Sequence, residues 1–340
     1  MSHLPSYATA VLVLTAALAC GGDNPAPSPT PSKAQSATQP PSAGFSTPGG
    51  TWRTLAPIPT PRMGVAVAAL NDKIYVIGGI EADGSPSAKV EVYDPTTDIW
   101  NEAAPLPQPR HHAAAIEFTP RVDETKLLVA GGFASGYEDP KSTVFEYDDL
   151  TNMWSDRSPL QTARGGLALT KFERFLVAVG GAGRTLDGQI MTLRSVEWMD
   201  FPSRTWRETD EPLAVARAHL AAATAMAFGG GGGYPMVFAV GGGSSVDGSS
   251  RLDVNEGAVR AEYWGPYSAM PTARSGIAAA TFDLPGVGYQ VYVFGGEGSE
   301  GTLDTVEVYN VAKICGRLPH PCPPLATASA PPSSETRFTS

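Results

Sequence analysis

Apolar and polar residues alternate in short segments over most of this chain, from about residue 51 to residue 312. Alternation over four to eight residues, bounded by Gly, Pro, Asn and Asp, is typical of half-buried β-strands joined by tight turns. Five of these segments end in a pair of glycines: IYVIGG at 74–79, LLVAGG at 127–132, LVAVGG at 176–181, VFAVGG at 237–242 and VYVFGG at 291–296. Recurrence at intervals of 49 to 61 residues predicts a repeat architecture.

Each repeat unit fits a four-stranded antiparallel meander. In the first unit we predict strands over 65–70, 74–77 and 90–93, and a fourth strand that starts at 99. The first strand of every unit is rich in small residues, which suits an innermost strand where sheets crowd about an axis. The glycine pairs suit a tight exit where backbone approaches packed aromatic side chains. These pairs are Gly78 and Gly79, Gly131 and Gly132, Gly180 and Gly181, Gly241 and Gly242, and Gly295 and Gly296.

A tryptophan follows four of the glycine pairs, and an arginine follows each tryptophan by ten or eleven residues. These residues are Trp100 with Arg110, Trp154 with Arg164, Trp206 with Arg217, and Trp264 with Arg274. Trp52 and Arg62 form one more such pair, ahead of the first glycine pair. Because they recur in every unit, we interpret the glycines, tryptophans and arginines as structural. We expect each arginine to bond backbone carbonyls or a carboxylate of the third strand, such as Glu91, Glu146, Glu197 or Glu307.

The glycine pair followed by a tyrosine, and by a tryptophan seven residues later, resembles the kelch repeat of β-propellers. Tyr93 with Trp100 and Tyr147 with Trp154 carry this spacing, whereas the third unit places Trp198 where the tyrosine is expected. The resemblance covers roughly residues 51–312 and implies an all-β kelch propeller with five recognisable four-stranded blades. It also implies that the N-terminal strand at Trp52, which lacks three strands of its own, closes the last blade.

Two histidines interrupt the repeat and suggest a binding site. Gly64, Gly166 and Gly276 stand two places after an arginine, but His112 and His219 take this place in two units. The resemblance implies that the position faces the channel mouth, where kelch proteins bind partners. The histidines either contact a ligand or fill space, and His111 is expected on the other side of its strand. The candidate mouth residues are His112, His219, Arg110, Arg217, Arg184, Tyr137 and Glu138.

The loops after the glycine pairs differ in length from unit to unit. Unequal loops on equal blades are expected of a recognition surface, although neutral drift would also produce them. We therefore predict a binding module for a protein or a glycan, acting as a monomer. The alternative is a carbohydrate-active or mutarotase-like enzyme that uses the channel. Acidic and basic residues gathered at the mouth would favour the enzyme.

Composition excludes several other functions. The net charge is -10 and Lys and Arg form no run, so nucleic acid and an anionic membrane surface are not expected partners. Some proteins that the resemblance covers are enzymes, the copper radical oxidases of the galactose oxidase type. These enzymes need a cysteine cross-linked to a tyrosine. The three cysteines are Cys20, Cys315 and Cys322, and none lies within the repeats. No phosphate loop, dinucleotide fingerprint or nucleophile elbow is present, so no cofactor and no metal is expected.

The N-terminus resembles the signal of a bacterial lipoprotein. The apolar run at 8–19 is too short to span a bilayer and ends at Cys20, where the resemblance implies lipid attachment. A plain secretory signal is the alternative. We divide this part into a signal peptide (1–19) and a lipidated, Pro/Ser-rich tether (20–49), ahead of the propeller at 50–313. The expected location is exported, in the bacterial cell envelope and anchored to the outer membrane, with the lipid as the only membrane contact.

The order of the chain breaks down after about Lys313. Suppose that the first two bases of each tail codon are the last two bases of a codon that begins one base earlier. The tail then allows the reading DMWSAPAPMPTPRHGLGAAVVGDTIYV. The hidden Trp lies seven residues after Tyr309, and the hidden Arg lies ten residues further on, as in the visible units. We therefore interpret 314–340 as an aberrant, disordered tail that replaces a lost sixth blade. A genuine unstructured tail with a disulfide between Cys315 and Cys322 is the alternative.

Overall fold

A computed structural model gives the fold. It describes residues 45–46, 53–121, 124–185, 187–201, 203–229, 232–259 and 262–311. Within these ranges the chain forms 25 strands and no α-helix. Among the described residues there is no helix that is long and apolar enough to cross a membrane. The predicted signal, lipid anchor and tail lie outside the described residues, as do Trp52, all three cysteines and the tether apart from Phe45–Ser46.

Five antiparallel sheets of four strands each form the blades. The first strand, β1, is Phe45–Ser46, and blade 1 consists of β2 (Ala66–Leu70), β3 (Lys73–Ile77), β4 (Val90–Asp94) and β5 (Ile99–Ala103). Blade 2 consists of β6 (Ala114–Arg121), β7 (Glu124–Ala130), β8 (Val144–Asp148) and β9 (Met153–Arg157). After β10 (Arg164–Gly165), blade 3 begins with β11 (Ala168–Phe172) and β12 (Phe175–Val179). Its loop contains β13 (Ala182–Arg184) and β14 (Ile190–Thr192), and it ends with β15 (Val196–Asp200) and β16 (Trp206–Glu208).

The last two blades follow the same order. Blade 4 consists of β17 (Ala221–Gly229), β18 (Gly232–Val240), β19 (Asn255–Val259) and β20 (Glu262–Pro266). Blade 5 combines β21 (Ala278–Leu284), β22 (Gly288–Phe294) and β25 (Val306–Asn310) with β1, and its loop contains β23 (Glu297–Gly298) and β24 (Gly301–Thr302). The predicted all-β fold with five four-stranded blades is confirmed.

Blade 1 shows why these segments fold as meanders. Asn71 and Asp72 join its first two strands with φ of 48° and 60°, as a two-residue hairpin turn requires. Side chains then alternate between the two faces of the sheet. Tyr75 and Ile77 pack toward blade 2, against Leu127 and its neighbours. Equivalent apolar clusters join blade 2 to blade 3, blade 3 to blade 4, and blade 4 to blade 5.

Four of the five repeated arginines form buried ion pairs inside their own blades. The pairs are Arg62 with Glu91, Arg164 with Glu197, Arg217 with Glu256, and Arg274 with Glu307. The same arginines donate to backbone carbonyls of the second strand of the blade or of its flanking turns, for example Arg164 to the carbonyl oxygen of Gly180 at 2.9 Å. Their structural interpretation is thus supported. The sequence pattern did not predict the role of Glu256 in the degenerate fourth unit, because Asn255 precedes it, whereas a valine precedes Glu91, Glu197 and Glu307.

Arg110 bonds a backbone carbonyl, that of Pro109 at 2.8 Å, but it does not pair with Glu146, so the carboxylate part of the prediction was wrong for this blade. Glu146 lies directly before Tyr147, whereas Glu91 lies two places before Tyr93, so the two carboxylates point to opposite faces of their sheets. Glu146 pairs instead with Arg157 at 2.5 Å. Phe145 occupies the glutamate position of blade 2, and the Arg110 guanidinium lies 5.9 Å from its ring centroid.

The prediction for the third unit was also off by one residue. Met199, not Trp198, pairs with Trp206 across β15 and β16, in the register that joins Tyr93 to Trp100. Met199 lies in the apolar cluster between blades 2 and 3, whereas Trp198 packs in the cluster between blades 3 and 4. The tryptophan at the expected tyrosine place therefore belongs to the opposite face of the sheet.

The N-terminal segment supplies the fourth strand of blade 5, but not in the predicted register. Phe45 of β1 pairs with Tyr309, whereas the prediction had given the fourth-strand place of the last blade to Trp52. In blade 2, the Trp154 indole donates to the Ala104 carbonyl oxygen at 2.8 Å. In blade 1, the Trp100 indole donates in the same way to Ala56 at 2.9 Å. Ala56 follows Trp52 by four residues, as Ala104 follows Trp100, so Trp52 has the sequence position of a fourth strand just ahead of blade 1.

Candidate functional site: the channel mouth

One rim of the propeller gathers the loops that follow the glycine pairs and the segments that follow the arginines. In blade 1, Met63 pairs with Ile80, and in blade 2, His111 pairs with Phe133. Blades 4 and 5 repeat the pairing, and blade 3 extends it into the sheet of β10, β13 and β14. We call this rim the mouth; it comprises residues 62–64 and 80–87 of blade 1 and their counterparts in the other blades.

A line of backbone hydrogen bonds runs around the mouth from blade to blade. It passes through the residue two places after each arginine, in the order Gly64, His112, Gly166, His219 and Gly276. The N–H of each residue donates to the carbonyl oxygen of the one before it, at 2.7 to 2.9 Å. All five residues have φ between 50° and 62°. Glycine adopts this conformation without strain, so the two histidines hold it at a conformational cost.

The imidazole rings of these histidines cover the glycines of the preceding blades. A Cβ on Gly64 would lie 2.6 Å from Cε1 of His112, and one on Gly166 would lie 3.2 Å from Cε1 of His219. The two rings meet edge to face, with centroids 4.8 Å apart. Alternation of glycine and histidine therefore brings together two side chains from non-adjacent blades.

His111 joins the same cluster, so the prediction that it points to the other side of its strand was wrong. Its Nδ1 lies 2.7 Å from Nδ1 of His112, and its Nε2 lies 2.6 Å from the carbonyl oxygen of Ser135. The positive φ of His112 breaks the extended alternation that the prediction assumed. Tyr137, which is half-buried, packs with ring centroids 5.6 Å from His112 and 6.0 Å from His219.

Sequence reasoning also missed Phe133. Its ring stacks on His111 with centroids 5.4 Å apart, and it contacts Tyr137 at 5.2 Å. A signal was present, because blade 2 alone has an aromatic residue directly after its glycine pair. Gly165 of blade 3 makes room for the ring, since a Cβ there would lie 2.3 Å from it.

The hydrogen bonds fix the tautomers of the three imidazoles. A carbonyl oxygen only accepts, so Nε2–H of His111 donates to Ser135 and Nε2–H of His219 donates to Val246 at 2.8 Å. Neutral His111 then accepts at Nδ1 from Nδ1–H of His112. Nε2 of His112 is left as an acceptor without a partner among the described residues, and the Tyr137 ring packs against the same imidazole. The cluster therefore offers one acceptor nitrogen and one hydroxyl to a ligand.

The surroundings keep the histidines neutral. Burial, together with the neighbouring His219 and His111, holds the pKa of His112 well below its usual value of 6.5. Burial likewise lowers the pKa of His111 and of His219. For His219, burial lowers the pKa by more than the hydrogen bond to Val246 and the carboxylates of Asp247 and Glu297 raise it. Burial also raises the pKa of Tyr137, so its hydroxyl stays protonated.

We expect the protein to lose stability as the pH falls below about 6.5. The unfolded chain takes up protons on these histidines there, whereas the folded chain, with lowered pKa values, does not. Each histidine that stays neutral costs about 1.4 kcal/mol per pH unit below that value. Thermal melting between pH 7.5 and pH 5.5 measures this fall. A double variant, His112→Asn and His219→Asn, should show a shallower fall, and an unchanged slope would contradict the assignment.

The other candidate residues are not gathered at this cluster. Arg110 and Arg217 are fully buried within their blades, so they cannot contact a ligand as predicted. Arg110 donates to Gln108 and Thr143, and Arg217 pairs with Glu256. Arg184 and Glu138 are exposed, and a guanidinium N–H of Arg184 donates to the Glu138 backbone carbonyl at 2.6 Å.

Contacts of this kind connect neighbouring loops of the mouth into one surface. Thr192 of blade 3 donates to the Ser244 carbonyl of blade 4 at 3.2 Å, and Arg251 of blade 4 pairs with Glu297 of blade 5 at 3.0 Å. No group of three or more His, Cys, Asp or Glu within the described ranges is arranged to hold a metal ion. A cavity of about 320 Å³ lies beside the outer strand of blade 1, lined by Glu81 and Ser87 of the mouth loop and by Glu102 and Pro105 among others, and by no histidine.

Comparisons with known proteins agree with this architecture. A family model described as the kelch motif matches residues 61–107. Alpha-scruin of Limulus polyphemus is 27% identical over 248 residues, which are 71% of this chain and 25% of that protein. Kelch-like protein terF of Aspergillus terreus is 30% identical over 183 residues, 52% of this chain and 39% of that protein. This chain therefore matches well under half the length of either relative.

A solved structure supports the fold. The structure of YjhT superposes with a TM-score of 0.57 at 15% sequence identity, covering 76% of this chain and 83% of that one. Five meander sheets joined by repeated glycine, arginine and tryptophan contacts, together with these likenesses, show that the chain has the kelch β-propeller fold.

Proposed function

We propose that this propeller is a binding module that presents its mouth to a partner protein, as a monomer tethered to the cell surface. The observation that carries the proposal is the loop surface of the mouth, which side-chain contacts connect from blade 2 to blade 5. Its loops differ in length and sequence between otherwise equal blades, and side chains such as Arg184 and Arg251 connect them across blade boundaries. Loops held by a rigid scaffold are common binding elements.

Charge and aromatic content describe the expected partner. The net charge of -10 favours a partner surface with basic residues. Tyr137 is half-buried beside exposed Glu138, and it offers a ring and a hydroxyl with little side-chain entropy to lose on binding. A glycan is the second ligand class, because an aromatic ring beside polar groups also suits a sugar face.

The enzymatic alternative has less support. The perturbed groups at the mouth are three histidines that burial keeps neutral, and two of them are committed to backbone carbonyls. No carboxylate side chain lies within hydrogen-bond distance of these rings among the described residues. Acid and base chemistry on a sugar would need a proton donor and an acceptor beside the substrate, and the pair that this cluster offers is the Tyr137 hydroxyl, whose pKa burial raises, and the His112 imidazole, whose pKa burial lowers.

The test combines a glycan array with affinity capture, using the full chain, which keeps strand β1 in blade 5, and two charge variants. The mouth variant is Glu138→Lys with Arg184→Glu. The control variant is Asp149→Lys with Arg174→Glu, on the opposite rim. We expect a captured protein to be lost about tenfold or more with the mouth variant and kept with the control, because rim charges steer association. Equal capture by both variants, or binding to a glycan alone, would contradict a protein-binding mouth.

The tether is part of the same proposal. The short apolar run that ends at Cys20, followed by a proline-rich segment, supports lipid attachment at this cysteine. Palmitate labelling of the full chain should be lost with Cys20→Ser, and that variant should leave the membrane fraction. Unchanged membrane binding would count against the anchor and would leave the mouth proposal intact.

A further inference from the structure

Four blade junctions share one set of backbone contacts. At each of them the second glycine of the pair donates its N–H to the arginine carbonyl of the next blade, at 2.7 to 2.9 Å. The donors and acceptors are Gly79 to Arg110, Gly132 to Arg164, Gly181 to Arg217, and Gly242 to Arg274. Each junction also has one step of the hydrogen-bonded line from Gly64 to Gly276, and one apolar cluster shared by both blades.

Among the described residues, the junction between blade 5 and blade 1 lacks all three features. The carbonyl oxygen of Gly296 accepts from the N–H of Leu303, as its counterparts do in their own blades, but the N–H of Gly296 has no partner among these residues. The N–H of Gly64 at the start of the line and the carbonyl oxygen of Gly276 at its end also have no partner within the described ranges. A Cβ on Gly276 would meet nothing within 4 Å, whereas those on Gly64 and Gly166 would meet the next histidine ring.

The two faces beside this gap are apolar. On blade 5, Val291 and Val293 pack toward blade 4, so Tyr292 and Phe294 face the other way, next to Phe282. On blade 1, Ile74, Val76 and Tyr93 form a cluster with residues 55–58. That cluster contains no residue of blade 5, unlike the clusters at the other four junctions.

We propose that the gap between blades 5 and 1 is a docking site for one further kelch blade, continuous with this polypeptide. Its glycine pair would donate to the Arg62 carbonyl, and its own arginine carbonyl would accept from Gly296. The residue two places after that arginine would donate to Gly276 and accept from Gly64. Its faces would cover Phe282 and Tyr292 on one side, and Ile74 and Val76 on the other.

Three sequence positions agree with this occupant. A reading of residues 314–340 one base earlier, with the first base of each codon free, allows a Trp seven residues after Tyr309, which would form the fourth strand of blade 5. The same reading allows an Arg and then IYV, the start of a further blade. Trp52 would then belong to that sixth blade, because it precedes Ala56 by four residues, as Trp100 precedes Ala104. In the chain as given, β1 takes the fourth-strand place of blade 5.

The experiment compares amide hydrogen exchange in the full chain and in a chain whose residues 314–340 are replaced by a copy of residues 98–150. The copied Trp100 then falls seven residues after Tyr309, and the copied strands supply three strands of a sixth blade. A scrambled copy of the same 53 residues is the control. In the chain as given, we expect the Gly64 and Gly296 amides to exchange about tenfold faster or more than their counterparts in the other blades.

In the grafted chain, we expect both amides to slow to the rate of those counterparts and the melting temperature to rise; the scrambled chain should show neither. Protection of Gly64 and Gly296 in the chain as given would mean that five blades close, and fast exchange in the grafted chain would mean that no blade fits. Protection that grows with protein concentration would assign the gap to a second copy. Sequencing the gene through and beyond the codons of residues 314–340 tests where the further blade is encoded, since a preceding frame without another glycine pair would contradict the proposal.

Discussion

Replacing Arg164 by alanine is expected to destabilise the protein by about 3–5 kcal/mol, because it leaves a buried carboxylate without its partner. Both Arg164 and Glu197 have fully buried side chains and meet at 2.7 Å. Arg164 also donates to the carbonyl oxygens of Gly180 and Ser195. Glu197 accepts from two backbone N–H groups of the 161–162 turn, so the pair fastens that turn to blade 3. Urea unfolding measures the loss.

Two variants make this prediction specific. Arg174 pairs with Asp200 at 3.1 Å in the same blade but is 61% exposed, so Arg174→Ala should cost less than about 1 kcal/mol. The double variant Arg164→Ala with Glu197→Leu should recover part of the loss, because it removes the unpaired charge. A single variant as stable as Arg174→Ala would refute the structural role of the repeated arginines.

The second large effect is expected from Gly131→Ala. Gly131 has a φ of 67°, and an added Cβ would lie 2.3 Å from the Arg164 carbonyl oxygen. The left-handed conformation costs an alanine about 1–2 kcal/mol, and overpacking against backbone adds about 1–3 kcal/mol. The adjacent hydrogen bond from Gly132 to Arg164, which joins blades 2 and 3, would be disturbed as well.

Gly84→Ala is the matched control for that variant. Gly84 has a φ of 86°, but a Cβ there would meet nothing within 4 Å. It should therefore show the conformational cost alone, about 1–2 kcal/mol. The difference between the two variants in urea unfolding measures how closely the blades approach at the glycine pairs. Equal losses would show that the junction is looser than described.

The sequence predicted the blades well because their determinants are local and repeated. Alternation, turn residues and the glycine pairs recur five times, so a pattern found in one unit can be compared with the other four. The strands of blade 1 matched their predicted bounds to within a few residues. The errors occur where one unit departs by a single position. In blade 2 the glutamate lies one place later than in blade 1, which turns Glu146 to the other face and leaves Arg110 with Phe145.

The candidate site was only partly predictable. The repeat singled out His112 and His219 as exceptions to glycine, and the structure brings their rings together. Their contact with His111 depends on the positive φ of His112, which a histidine in the sequence does not reveal. The contact with Phe133 and Tyr137 depends on the path of a loop of ten residues, which has no periodic pattern. Tertiary placement, not local preference, decided these contacts.

The most direct test of the mouth as the binding surface is site-specific photo-cross-linking from two positions in blade 2. Glu138 is exposed at the mouth, and Leu150, which is 88% exposed, lies in the turn between β8 and β9 at the opposite rim. A photoreactive residue at either place leaves the blade core untouched. The account predicts that the partner cross-links from position 138 and not from position 150. Cross-links from position 150 alone would contradict it.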